Sequence, residues 1–154
     1  MKPTMKKTEL KDSADIWNAV IFEISSHDFP TNNPLINESF LAFQYYSELE
    51  SGGHEILFNW VQEYIEEVGI TLYLNDLSVA LEKIGADDYG QIIKKYGEEL
   101  WRLFRALENG EMDEQAFYEL VEKADRDYYA LGGKLEQQLE AHFLNIYTEL
   151  FEII

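Results

Sequence analysis

Apolar residues recur at helical spacing along almost the whole of this chain of 154 residues, and this periodicity most limits its fold. The third predicted helix has the clearest pattern, a continuous apolar stripe of pairs that recur every four residues: Ile56, Leu57, Trp60, Val61, Tyr64 and Ile65. No segment alternates apolar and polar residues over more than a few positions, and residues 70–74, the one strand candidate, have neighbours that favour helix. The sequence therefore predicts an all-α fold.

Glycine, proline and asparagine divide this pattern into about seven or eight helices. Asp12 or Ser13 is expected to cap the first helix, Asn37 or Glu38 to begin the second, and Asp113 to cap a later one. The breaks are expected at residues 27–34, Gly52-Gly53, Gly69, Gly85, Gly97, Asn109-Gly110 and Gly132-Gly133. We expect a flexible basic N-terminal tail over 1–11 and a single compact helical domain over 12–154.

The charge of the chain is strongly negative and unevenly distributed. Thirty acidic residues stand against 12 Lys and Arg, a formal net charge of −18, and no Lys or Arg lies between Asp12 and Glu82. Such a surface repels nucleic-acid phosphate and anionic membranes and attracts basic proteins. The expected partner is a basic DNA-binding protein or a toxin, with no direct nucleic-acid or membrane binding. A surface that serves only solubility or salt tolerance is the alternative.

Several kinds of chemistry lack their sequence signatures. The chain has no Cys, and its three histidines form no HExxH pattern. Neither Gly-Gly pair belongs to a phosphate-binding loop, and no nucleophile-elbow motif occurs. We therefore expect no catalytic residue, metal or cofactor, although an enzyme that uses a carboxylate pair stays open. No apolar run could span a bilayer and no secretory signal is present, so a cytoplasmic location is expected.

Carboxylates at helical spacing are the remaining candidates for function. Glu63 and Glu67 lie one turn apart in the base-free part of the chain, so their Cβ atoms should be about 5–6 Å apart. This spacing is comparable with that of phosphates along a nucleic acid strand, and a rigid display of such charges could occupy a basic groove. The predicted partner-binding residues are Glu48, Glu50, Glu55, Glu63, Glu66 and Glu67.

Three segments also resemble a known family in order and spacing. They are Ser51-Gly52-Gly53-His54-Glu55-Ile56-Leu57-Phe58-Asn59-Trp60, then Ala80-Leu81-Glu82-Lys83-Ile84-Gly85-Ala86, and Asp125-Arg126-Asp127-Tyr128-Tyr129-Ala130-Leu131. Together they resemble a bacterial DNA-mimic protein family of the DMP-nineteen type, long catalogued as an uncharacterised domain family. That family usually has Asn-Gly-Gly and an aromatic residue where this chain has Ser51-Gly52-Gly53-His54. The resemblance implies an acidic, all-helical homodimer that imitates DNA and binds a DNA-binding transcription factor.

Two binding functions follow from these observations. The first is an acidic, non-enzymatic protein, in the manner of a DNA mimic, that blocks the nucleic-acid-binding surface of a partner. The second is an immunity or antitoxin-type protein that caps one specific toxin through a hydrophobic hot spot within an acidic rim. An acidic helical domain without any nucleic-acid connection is the plainest alternative.

Overall fold

The computed structural model describes residues 2–111 and 114–154 of the chain and confirms the all-α prediction. Within these ranges the chain forms seven α-helices: α1 (Ser13–Ser25), α2 (Pro34–Gly52), α3 (His54–Val68), α4 (Ile70–Lys83), α5 (Asp87–Glu108), α6 (Glu114–Ala130) and α7 (Lys134–Leu150). Two short strands, β1 (Thr4–Met5) and β2 (Glu152–Ile153), lie near the two ends of the chain. None of the described helices is both long enough and apolar enough to cross a membrane.

Helix α5 corrects one predicted break. The sequence predicts that a helix ends at Gly97, but α5 continues through this residue. A Cβ atom at position 97 would lie 2.7 Å from Leu74 Cδ2 on α4, so the glycine allows the two helices to pack closely. Gly97 therefore serves helix packing, and the two predicted helices on either side of it are one.

The start of α2 also differs from the expected start at Asn37 or Glu38. The Asn33 side chain caps this helix by accepting hydrogen bonds from the backbone N–H groups of Leu35 and Ile36. Pro34 occupies the first turn, where its missing N–H removes no helical hydrogen bond. At α1, the cap is Asp12, one of the two residues that the sequence predicts for this role. The cap predicted at Asp113 lies outside the described residues.

The basic N-terminal segment, predicted as a flexible tail, contains regular structure. Strand β1 pairs in parallel with β2, with Thr4 opposite Glu152 and Met5 opposite Ile153. The Lys7 N–H then donates to the Ile154 carbonyl at 2.8 Å. This pairing joins the segment to the chain just after α7. Strands of two residues are too short to give the alternating pattern by which a sequence reveals a strand.

One hydrophobic core joins all seven helices. Helix α2 is central, because it packs against α1, α3, α4 and α7, while α5 packs between α4 and α6. The core is rich in aromatic rings. Its largest fully buried side chains include Tyr45, Tyr73, Tyr89, Phe58, Phe117 and Phe143.

The two glycines inside α5 provide a test of this packing. Ala at position 90 would make only ordinary contacts, with its Cβ 3.6 Å from the Ser78 carbonyl oxygen. Gly90→Ala should therefore raise the free energy of unfolding by about 0.5–1 kcal/mol, since Ala favours the helix. Gly97→Ala should lower it by about 1 kcal/mol, because the displacement of Leu74 outweighs that gain. Urea denaturation measures both, and an equal gain in the two variants would contradict the close α4–α5 contact.

His142 on α7 gives the fold a dependence on pH. Its Nε2 atom lies 3.0 Å from the Ser39 hydroxyl, and burial lowers the pKa of the imidazole, although Glu38 and Glu149 act in the opposite direction. A lowered pKa means that the folded state favours neutral histidine. This contribution to stability is complete above the unfolded-state pKa of about 6.5 and is lost as the pH falls towards the folded-state value.

His142→Gln should remove this dependence. The difference in unfolding free energy between the original chain and this variant should therefore shrink between pH 7.5 and pH 5. Urea denaturation of both proteins at the two pH values measures this difference. A difference that grows on acidification would mean that the folded state favours the charged imidazole.

Candidate partner-binding face

Helix α3 has one side in the core and one side in solvent. Its buried residues recur at helical spacing and are His54, Leu57, Phe58, Val61 and Ile65. The exposed residues on the opposite side are Asn59, Trp60, Glu63, Glu66 and Glu67. We call these five residues the outer face of α3, and four of them are acidic or aromatic.

Trp60 corrects the predicted apolar stripe of α3, because it lies outside the core with 71% of its surface exposed. Phe58 takes the core position instead, with its ring centroid 6.1 Å from those of both Trp101 and Phe104. An exposed indole offers a large apolar area and one hydrogen-bond donor, and tryptophan is enriched at the centres of protein interfaces. Trp60 is therefore the strongest candidate for an apolar contact with a partner, and the predicted site residues do not include it.

The three predicted carboxylates on the outer face differ in their partners. Glu63 and Glu67 are exposed, and none of the Lys or Arg side chains that the structure describes pairs with either. Glu66 is ion-paired with Arg105 of α5, whose guanidinium lies 5.4 Å from the centroid of the Trp101 ring. Glu63 and Glu67 thus present free charge beside Trp60, whereas Glu66 is neutralised within the chain.

The other three predicted carboxylates are not among these five exposed residues. Glu55, in the first turn of α3, lies near the Tyr118 hydroxyl of α6, and its carboxylate raises the tyrosine pKa. Glu48 on α2 is half-buried, and burial raises its pKa. Glu50 is exposed near Tyr129, whose pKa is raised by burial first and then by Asp125 and Glu50. The six predicted residues therefore differ in exposure and in the groups they contact.

The negative potential extends from α3 towards α4. Tyr64 lies on α3, and its pKa is raised by burial and then by the charges of Asp76 on α4 and Glu67 on α3. Both carboxylates therefore act on the same hydroxyl from neighbouring helices. The sequence alone does not predict that Asp76 of α4 lies close to Tyr64 of α3.

A buried hydrogen-bond network fixes the start of α3. The Asp125 carboxylate on α6 accepts from the His54 backbone N–H at 2.9 Å and lies 2.7 Å from His54 Nδ1. His54 Nε2 lies 2.9 Å from the Tyr45 hydroxyl of α2. A proton on Nδ1, facing the carboxylate, leaves Nε2 to accept from the tyrosine. The network thus ties α2, α3 and α6 together at one point.

The corner between α2 and α3 requires glycine. Gly53 has φ = 87°, a conformation that disfavours a side chain, and a Cβ atom there would lie 2.3 Å from Asp125 Oδ2. No side chain within the corner caps α3, so the Asp125 carboxylate satisfies its first N–H from another helix. The Gly-Gly pair is therefore a structural corner, as its position between two apolar helices predicts.

The network is structural in its geometry. Tyr45 and His54 are both fully buried, so neither presents a reactive group at the surface, and burial raises the Tyr45 pKa far above its usual range. His54 therefore has a packing role. The sequence does not predict its partner, because Asp125 is 71 residues away in the chain. Among the described residues, no three His, Asp or Glu side chains are arranged to hold a metal ion.

Comparison with known proteins gives no relative: no protein-family model, no curated protein and no solved structure matches this chain. The resemblance to the bacterial DNA-mimic family therefore stays a prediction.

Removing the Asp125 carboxylate should destabilise the fold. Asp125→Ala leaves the buried His54 ring without its acceptor and should lower the free energy of unfolding by about 2–3 kcal/mol. Asp125→Asn keeps one acceptor oxygen, so its free energy of unfolding should lie between those of the original chain and Asp125→Ala. Glu122→Ala is the matched control on the same helix, because its ion pair with Arg126 is mostly exposed and should contribute less than about 1 kcal/mol. Equal losses in urea denaturation for the two Ala variants would show that the network adds no specific stability.

Proposed function

We propose that this chain is an acidic, non-enzymatic binding protein whose outer face of α3 engages a basic surface of a partner protein. The observation that supports this most directly is one helical face that carries Trp60, which is 71% exposed, beside Glu63 and Glu67, which pair with no Lys or Arg that the structure describes. An exposed aromatic residue with negative charges beside it suits an interface with a positively charged partner.

The distribution of basic residues supports the proposal. Eight Lys and Arg follow residue 11. Within residues 2–111 and 114–154, seven of them form an ion pair with a carboxylate: Lys83, Lys94, Lys95, Arg102, Arg105, Arg126 and Lys134. Residues 12–82, which contain α1 to α3 and most of α4, supply 13 acidic residues and no Lys or Arg. Among the described residues, three of these Lys and Arg pair with carboxylates of this half: Lys83 with Glu38, Lys94 with Glu82, and Arg105 with Glu66.

Imitation of DNA is the form of this function that the charge pattern favours. Glu63 and Glu67 stand one helical turn apart on a helix held at its start by the Asp125 network, so their positions are fixed relative to the bundle. A partner that binds DNA already presents Lys and Arg at comparable spacing. Long-range attraction would speed its association with this chain and make the rate depend on ionic strength.

The second candidate function is that of an immunity or antitoxin-type protein. Trp60 favours it, because an exposed tryptophan gives a small interface the apolar hot spot that a single, tightly bound partner requires. The two functions differ in what the partner does with nucleic acid. Duplex DNA should compete with this chain for a DNA-binding factor, whereas a toxin need not bind duplex DNA at all.

Affinity capture from native lysate at low and high salt tests the proposed function. A basic protein should be retained at low salt and released at high salt, since exposed charges are screened within about 8–10 Å at 0.1–0.15 M salt. Trp60→Ala should weaken its binding by about 30-fold, the loss of a hot spot near 2 kcal/mol. Phe22→Ala is the matched control, because Phe22 is an aromatic residue of α1 that is 76% exposed.

The charges are tested separately from the tryptophan. Glu63→Gln with Glu67→Gln should slow association severalfold at low salt and have little effect at high salt, whereas Glu119→Gln with Glu122→Gln on α6 should have a smaller effect. Capture that is insensitive to salt, or equal losses for Trp60→Ala and Phe22→Ala, would contradict the proposed face. Competition by duplex DNA then separates a DNA mimic from a toxin-binding protein.

A further inference from the structure

A crevice of about 400 Å³ lies between the segment that joins α1 to α2 and the helices α2, α3 and α4. Its walls include two aromatic rings, two carboxylates and two small apolar side chains: Phe29, Tyr64, Glu38, Asp76, Pro30 and Val79. This volume lies in the range of about 300–1,000 Å³ that small-molecule sites occupy, so it is large enough for one long side chain.

The wall formed by the α1–α2 segment is firmly held. The Asn37 side chain makes three hydrogen bonds to Thr31, accepting from its N–H and hydroxyl at 2.8 Å each and donating to its carbonyl at 2.9 Å. The Thr31 hydroxyl also accepts from the Asn33 N–H, and Asn33 in turn caps α2. The crevice is therefore built before any ligand arrives, which lowers the entropy cost of filling it.

The aromatic wall offers ring surface to a cation. Phe29 and Tyr64 meet edge to face, with centroids 5.0 Å apart and planes at 66°, and Phe29 also contacts Phe40 at 5.1 Å. These contacts fix the rings at the crevice. The faces of aromatic rings attract guanidinium and ammonium groups within about 6 Å of the centroid.

The charge within the crevice is negative and only partly neutralised. Glu38 is ion-paired with Lys83. Asp76 is only partly exposed, and no Lys or Arg in the described part of the chain pairs with it. The Asp76 charge reaches the Tyr64 hydroxyl, which shows that carboxylate and ring share one local environment.

We propose that this crevice binds the side chain of an arginine from the basic partner, an inference that rests on the proposed function. The planar guanidinium can lie against an aromatic ring while it donates two parallel hydrogen bonds to the Asp76 carboxylate. A lysine ammonium is a compact and strongly hydrated charge that cannot make both contacts equally well. Tyr64 connects the crevice to the acidic surface, because the charges of Asp76 and Glu67 both act on its hydroxyl.

Titration with N-acetyl-arginine methylamide, followed by NMR, tests this assignment without any partner. Saturable shifts should appear at the Val79 methyl groups, the Asn75 amide and the Tyr64 ring, with half-saturation on the order of millimolar for so small a ligand. The citrulline analogue has the same shape but no charge and should bind at least about tenfold more weakly, since it loses both the ion pair and the cation–π contact. The lysine analogue should be severalfold weaker than the arginine compound.

Two variants and a control locate the contact. Asp76→Asn should weaken binding of the arginine compound by about tenfold. Lys83→Met releases Glu38 from its ion pair and should tighten binding severalfold. Glu119→Gln removes one exposed charge on α6, which contributes no residue to the crevice, and should leave binding nearly unchanged.

The outcomes separate this inference from the proposed function. Shifts spread over the acidic surface, equal binding of the arginine and citrulline compounds, or equal effects of Asp76→Asn and Glu119→Gln would each overturn the arginine site. Salt-sensitive capture of a basic partner that depends on Trp60 would then still support the proposed function. Arginine binding in the crevice with no basic partner captured would support the site and count against that function.

Discussion

The hydrogen bonds that Asp125 accepts from His54 are the interaction on which the placement of α3 depends. A helix that starts directly after a glycine corner has unpaired N–H groups, and here a carboxylate from α6 satisfies the first of them while it also orients the histidine ring. Tyr45 completes the network from α2. Three helices are thus joined by this hydrogen-bond network, and the position of α3 is fixed by hydrogen bonds as well as by apolar contact.

The fixed position of α3 decides which of its residues face solvent. Once Leu57, Phe58, Val61 and Ile65 pack inward, the helical period turns Trp60, Glu63 and Glu67 outward. The apolar stripe predicted from the sequence counts Trp60 among the core residues, because periodicity identifies hydrophobic residues but not the rotation of the helix. Phe58 and Trp60 are two residues apart and therefore on different sides, and tertiary packing selects the phenylalanine for the core.

The fold could be predicted from the sequence where local chemistry decides it, and the candidate site only in part. Glycine pairs, the Asp12 cap and helical periodicity are local signals, and the helices they predict are present. Gly97 gives the same local signal as a helix end, but its cause is the neighbouring Leu74, which is distant in the chain. Likewise, the charge of Glu66 is visible in the sequence, while its neutralisation by Arg105 depends on how α3 and α5 pack.

In the proposed function, one feature of the surface attracts basic proteins and other features select among them. Like charges one turn apart, as at Glu63 and Glu67, cost a few tenths of a kcal/mol, a small fraction of the roughly 5–15 kcal/mol that stabilises a typical domain. In the proposed function, the whole base-free half of the chain attracts basic proteins, and that attraction alone would select poorly among them. Discrimination needs contacts of defined shape, which the exposed indole of Trp60 and the aromatic crevice beside Asp76 can provide. The proposed partner must then match the acidic surface in shape as well as in charge.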